Sequence, residues 1–295
     1  MTNVIEFRDV WRHFGAKEVL RGLSFTVRPG QVYALLGRNG EGKTTAIRLL
    51  LGFLEPHAGE VRLLGERSSE LALATRGRVG YVSEGHRLYG EMRVAEAVRF
   101  ERDTRPNFDE GNARKELARL ALDPAARIRT LSRGQRAQLA LVLACAGAPD
   151  VLVFDDPAMG LDVVMRRELL ESLIALLAER GTAVLFSTHI LHDVERLADR
   201  VGILKDGALI VDAPLDVLKR RLQKRQCVPV NGHPPTLDGL LRAKPVAGGF
   251  ELTLLDLDPA REATLRAQTR SLGEPLTPDL EELFMDLTTH PEPTR

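Results

Sequence analysis

At about 150 residues per domain, a chain of 295 residues carries a prior of roughly two domains, and 44% apolar with 28% charged residues excludes a mainly disordered state. The 41 Lys and Arg residues are matched by 41 Asp and Glu, so no net basic field is available to hold nucleic acid. Cys145 and Cys227 are too few for a disulfide framework, the longest apolar run (139–149) falls short of the ~20 residues of a spanning helix, and no basic-then-apolar leader follows Met1; a cytoplasmic α/β protein is expected.

Taken in chain order, residues 4–7 and 23–27 alternate apolar and polar side chains, as half-buried antiparallel strands do. Residues 32–36 form a continuous apolar run of strand length, and so do 151–154 and 183–186. Each leads into a polar or glycine-bearing turn, the pattern of buried parallel strands. Helical spacing marks 45–51, 92–105, 109–122, 135–146, 163–178 and 190–198. Residues 201–204 and 208–211 flank Lys205-Asp206-Gly207, a hairpin signal.

Charge is balanced only in total. Residues 226–295 hold 6 basic and 11 acidic side chains, which leaves 35 basic and 30 acidic in the first 225. The shift follows Lys219-Arg220-Arg221-Leu222-Gln223-Lys224-Arg225 and precedes Pro229, Pro234 and Pro235, so a boundary between domains 1–225 and 226–295 is expected. The basic run itself reads as a solvated helix end, with contact to anionic lipid as the alternative. Beyond it, 250–255 alternate like a strand, 260–272 and 279–287 have helical spacing, and nothing looks catalytic.

The strongest local signal is Gly37-Arg38-Asn39-Gly40-Glu41-Gly42-Lys43-Thr44-Thr45, set between an apolar strand and a helical stretch. Glycines there let backbone N–H groups approach phosphate oxygens, and the helix N-terminus adds positive dipole. In that pattern Lys43 reaches the β- and γ-phosphates and the Thr44 hydroxyl binds Mg²⁺. The strand 151–154 ends in Asp155-Asp156, which sets a carboxylate where it can sit beside that metal. Asp155 is the expected metal-side acid and Asp156 the expected acid for the attacking water.

Further residues carry a resemblance to the ATP-binding cassette family. Leu131-Ser132-Arg133-Gly134-Gln135 resembles its signature, Gly80-Tyr81-Val82-Ser83-Glu84 its Q-loop, Met159-Gly160-Leu161-Asp162 its D-loop, and Ser187-Thr188-His189 its switch-histidine segment. Phe14 aligns with the aromatic that stacks on adenine. The matches run in the family's order over residues 5 to about 211 and are most similar to the drug and lipid exporter subunits. The resemblance implies an α/β fold: a P-loop NTPase core with a mainly parallel sheet flanked by helices, an antiparallel β subdomain, a helical subdomain at about 85–145, and a small C-terminal α+β appendage. It also implies ATP and Mg²⁺ as ligands and a head-to-tail homodimer or heterodimer in which Ser132 and the Gly134 backbone meet the γ-phosphate held by the partner. A membrane permease on a separate chain is implied too, with this chain peripheral at the cytoplasmic face and no nucleic-acid partner. Thr44, Glu84 and Asp155 are then the metal residues, and Asp156 and His189 the catalytic pair.

Three positions depart from the family pattern. Asp156 replaces the usual glutamate, and its carboxylate sits one C–C bond, ~1.5 Å, further back; slow turnover is expected, since a 1 Å misplacement costs on the order of 10²-fold. Glu84 replaces glutamine and keeps an oxygen for a hard cation while adding negative charge. Arg133 replaces the first signature glycine. The alternative to a transport ATPase is a regulatory ATP-binding protein of the same family with little hydrolysis. His189 and His192 lack the further ligands of a metal site, and Leu88-Tyr89 serve either as partner contact or as core.

Overall fold

Alternation in the first strands brings their apolar side chains to one face. β1 (Ile5–Phe14) and β2 (Lys17–Val27) pair antiparallel with Ile5 opposite Val27 and Phe7 opposite Phe25. The Phe7 and Phe25 rings stack with centroids 4.5 Å apart. The computed structural model describes residues 2–167, 181–188, 191–276 and 280–289. After β3 (Val32–Leu36), β4 (Ala58–Leu63) and β5 (Glu66–Arg67) complete a four-stranded sheet of order β2-β1-β4-β5.

β3 belongs to a second sheet with β6 (Val79–Val82), β7 (Val151–Asp155), β8 (Ala183–Thr188), β9 (Arg200–Lys205) and β10 (Ala208–Pro214), in the order β10-β9-β3-β8-β7-β6. The pairs β9–β3, β3–β8, β8–β7 and β7–β6 are all parallel. Asp206 and Gly207, both at positive φ (49° and 78°), make the β9–β10 turn expected of Asp-Gly. Such a sheet must be covered on both faces. α1 (Lys43–Leu50) packs Ile47, Leu49 and Leu50 into the same core as Leu35, Val153 and Leu185.

α2 (Leu73–Gly77) precedes β6, and a helical layer follows it: α3 (Val94–Thr104), α4 (Glu110–Arg119) and α5 (Arg133–Cys145). Val94, Val98, Phe108, Leu117, Leu139 and Leu143 form its core. Asp109 caps α4 by accepting from Asn112 N–H at 2.9 Å. The helical spacing of 163–178 lies mostly outside the described residues, of which 163–167 are helical. α6 (Leu191–Leu197) follows β8.

The chain divides into two compact units, Met1–Asp212 and Ala213–Arg295. The second begins with α7 (Leu215–Arg221) and holds an antiparallel sheet of β11 (Leu222–Pro229), β12 (Leu240–Val246), β13 (Gly249–Leu255) and β14 (Thr269–Leu272), in the order β12-β13-β11-β14. α8 (Pro259–Ala267) and α9 (Leu280–Thr289) complete it. The boundary expected after Arg225 is corrected here, because that position lies inside β11. The basic run is a solvated helix end only in its first half, where Lys219–Arg221 close α7 and Arg220 is exposed; the rest lies in β11, and Arg221 pairs with Asp256, Lys224 with Glu251 and Glu282, and Arg225, only 7% exposed, with Glu262. These cations belong electrostatically to the acidic segment that follows them. The expected helix over 260–272 stops at Ala267, and β14 takes up the remainder.

Candidate active site

The parallel strands β3, β7 and β8 end at one edge of their sheet, where a doubly wound sheet opens its crevice. Residues 37–45 turn from β3 into α1 there. Gly42 caps α1 at φ 108°, and a Cβ at that position would come within 2.8 Å of Val19 O, so the turn admits only glycine. Gly40, at φ 90°, faces open space instead, and Arg38 and Asn39 are exposed. Glu41 accepts a hydrogen bond from the backbone N–H of Asp206, which ties the loop to the β9–β10 turn. Thr45 is half-buried in the first turn of α1.

Lys43 is buried, and its Nζ donates to Gly37 O at 2.6 Å and Arg38 O at 3.0 Å. An ammonium has three donors, so one remains for a ligand. Burial lowers the Lys43 pKa, and the negative charge of Asp156, Asp155, Glu41 and Glu84 opposes that shift. Four carboxylates thus act on one cation. A polyphosphate enters such a site only with a divalent cation to offset the charge, and hard carboxylate and hydroxyl oxygens are the donors Mg²⁺ prefers. The residues present therefore fit a nucleotide together with Mg²⁺.

The donor set is held in place. Thr44 Oγ1 donates to Asp155 Oδ1 at 3.0 Å, and Ser187 Oγ, at the end of β8, donates to the same oxygen at 2.9 Å. Asp156 N–H donates to Ser187 O and to Ser187 Oγ, both at 3.1 Å. Asp156 itself is buried and sits at φ 47°, a conformation Asp tolerates better than most residues. Glu84 is half-buried beyond β6. Burial pushes the Tyr81 hydroxyl, three residues earlier, up to about 12. His189 lies outside the described residues, and His192 is exposed.

The signature-like residues form a second group. Ser132 Oγ accepts from Gln135 N–H at 3.1 Å and Gln135 Oε1 accepts from Ser132 N–H at 3.0 Å, a reciprocal cap on α5. A Cβ on Gly134 would meet Met165 Sδ at 1.9 Å, and one on Gly160 would lie 3.7 Å from the exposed Arg133's Nη1. Asp162 accepts from Met165 N–H at 2.9 Å. Ser132–Gln135 and Gly160–Asp162 are therefore neighbours in the same chain. Phe14 stands 45% exposed at the tip of β1, with the Arg12 guanidinium 4.7 Å from its ring centroid.

The model of the ABC transporter family matches residues 20–159. The Nod factor export ATP-binding protein I of Paraburkholderia xenovorans is 34% identical over 296 residues, covering 96% of each chain. The chain belongs to the ATP-binding subunits of ABC transporters. The corresponding protein of Burkholderia lata is 39% identical over 70% of each chain, and YtrB, an ABC transporter ATP-binding protein of Bacillus subtilis, 31% over 76%. Among solved structures, an ATP-binding subunit of an ABC transporter superposes with a TM-score of 0.66 at 29% identity, covering 74% of this chain and 92% of that one. As an ABC subunit the chain is a transport ATPase. Among its described residues no helix is long and apolar enough to cross a membrane.

One site residue escaped the sequence reading. His86 is 4% exposed and its Nε2 lies 2.7 Å from Pro157 O, directly after Asp156. Burial lowers its pKa, and that hydrogen bond opposes the shift. A histidine two places past Glu84 carries no pattern of its own, and only the fold brings it to Pro157. Leu88 and Tyr89 separate: Leu88 packs on the helical core, whereas Tyr89 is 68% exposed and meets Phe100 edge-on at 6.0 Å.

Proposed function

We propose that this chain binds ATP with Mg²⁺ at the Lys43 loop and hydrolyses it to drive a separate membrane permease in export. The observation that carries the reading is the bonded chain Thr44–Asp155–Ser187–Asp156 beside the Lys43 ammonium. Lys43 and the N–H groups of residues 37–45 bind the phosphates, Phe14 stacks on adenine, and Thr44, Asp155 and Glu84 hold the metal. Mg²⁺, when bound, offsets phosphate charge in the ground state and at the γ-phosphate. Asp156 accepts a hydrogen bond from the attacking water and orients it, with His189 as its partner. Export follows from the relatives named for it.

The neighbouring Ser132–Gln135 and Gly160–Asp162 segments supply the second half of a composite site. Ser132, Arg133 and the α5 N-terminus of one copy face the phosphates held by Lys43 of another, and Asp162 lines the same interface, so ATP draws two chains head to tail. The exposed Tyr89–Phe100 pair receives the permease. This places the chain at the cytoplasmic face of the membrane.

The test is ATP hydrolysis by the purified chain and its Lys43→Ala, Asp156→Asn and Asp156→Glu variants. Loss of the rate in Lys43→Ala and Asp156→Asn, with Asp156→Glu equal to wild type or faster, is expected. A wild-type rate no higher than that of Lys43→Ala, even beside the permease, would leave a regulatory ATP-binding protein.

A further inference from the structure

Two buried residues of the site hold left-handed backbone without being glycine: Asp156 at φ 47° after β7, and His86 at φ 52° after β6. Such conformations persist only where surrounding groups hold them. The holds are visible on both sides of Asp156. Its own N–H is taken by Ser187 O and Oγ at 3.1 Å. The next carbonyl, of Pro157, lies 2.7 Å from His86 Nε2. A carbonyl only accepts, so Nε2 carries the proton and donates it to this bond. His86 is fixed in turn by its own N–H, which donates to Ser83 O at 3.0 Å and closes the turn that contains Glu84.

We propose that His86 is a positioning residue for hydrolysis, whose hydrogen bond to Pro157 locks the turn carrying Asp156 to the loop carrying Glu84. An imidazole is rigid, so displacement of the Glu84 loop moves the Pro157 carbonyl and re-aims the Asp156 carboxylate. The proposal rests on Asp156 being the acid that orients water. It assigns the effect to the rate of the chemical step and leaves ATP affinity to Lys43 and its loop.

The test uses the full chain with ATP and Mg²⁺. His86→Ala and His86→Phe both remove the donor, one leaving space and the other filling it, while His86→Gln keeps an N–H at similar reach. Turnover is measured beside ATP affinity, read from the fluorescence of Trp11, the chain's one tryptophan. The expectation is a fall in kcat of about tenfold for Ala and Phe, the loss of one buried hydrogen bond. Affinity stays within about twofold, and Gln keeps at least half the rate on the same argument. Wild-type turnover in a folded variant without the donor overturns the proposal. So does a Gln variant as slow as the other two, or an affinity that falls in parallel with kcat. Lys43→Ala run alongside separates the two failures: if wild type does not exceed it, the ATPase reading itself fails.

Discussion

Lys43 stands where two electrostatic effects oppose each other. Removing its ammonium from water disfavours the charged form and dominates, so its pKa is lowered; Asp156, Asp155, Glu41 and Glu84 pull the other way. Because the folded pKa lies below the unfolded one, the unfolded chain binds more protons between the two values. Burying the charged lysine therefore costs stability below the folded pKa, and that cost is relieved as pH rises through it. Nucleotide binding has the opposite sign. A polyphosphate favours the ammonium, so ATP affinity is greatest below the lowered pKa and declines above it, by up to about tenfold per pH unit for one proton. A titration of ATP affinity from neutral to about pH 11, past the ordinary lysine value, is expected to show that decline in wild type and not in Lys43→Ala. Constant wild-type affinity over the range would mean that the ammonium does not meet the phosphates.

The strands around the loop are registered by close approaches that a single methyl group would spoil. Gly202 on β9 is the clearest: a Cβ there would lie 2.3 Å from the Tyr33 hydroxyl on β3 and 3.0 Å from Leu209 Cδ1. Tyr33 has no room to move aside, since its ring is fully buried, stacks on Phe25 at 4.8 Å, and its hydroxyl donates to Asp212 Oδ1 at 3.1 Å. Gly202→Ala is accordingly expected to destabilise by about 1–3 kcal/mol through overpacking. Thermal melting of the variant checks this, and an unchanged midpoint would refute it. Elements of this kind differ in how far the sequence discloses them. β3, β7 and β8 are buried along their whole length and apolar up to the polar ends of β7 and β8, and Gly37–Lys43 after β3 and Asp155-Asp156 at the end of β7 follow the apolar runs directly, so strand and site residues were legible together. β12 was not legible. Its residues Leu240–Val246 are half-buried or exposed throughout, and their burial does not alternate with period two. β14 was hidden inside an apparent helix, because Leu265, Thr269 and Leu272 keep helical spacing although α8 ends at Ala267. The His86–Pro157 contact joins residues 71 positions apart and has no local signature at all.

The two units have separate cores, and that separation makes a thermodynamic prediction. The second unit rests on a small cluster of Cys227, Leu252, Leu254 and Leu265, supplemented by a buried polar contact. Asp286 is 4% exposed, accepts from Thr253 Oγ1 at 2.6 Å through Oδ2, and pairs with Arg242 Nη1 at 2.6 Å through Oδ1. Truncating Asp286 leaves the Thr253 hydroxyl without its acceptor and Arg242 without its counter-charge. Arg242 keeps access to water, its side chain being 38% exposed, so the cost of Asp286→Ala is set mainly by the lost buried hydrogen bonds, about 1–3 kcal/mol. On the proposed reading ATP with Mg²⁺ binds only the unit that holds Lys43, Thr44 and Asp155, and at a hundredfold excess over Kd it would stabilise that unit by about 2.7 kcal/mol. Scanning calorimetry of the full chain is expected to resolve two transitions. Nucleotide should raise the first unit's transition alone, and Asp286→Ala should lower the second unit's alone. A single transition shifted by both perturbations would show the units to be thermodynamically coupled. Binding energy released at the Lys43 loop would then also stabilise the second unit. If the transitions separate as expected, that energy stays within Met1–Asp212, the unit that also holds the Glu84 loop, Tyr89 and the α5 N-terminus.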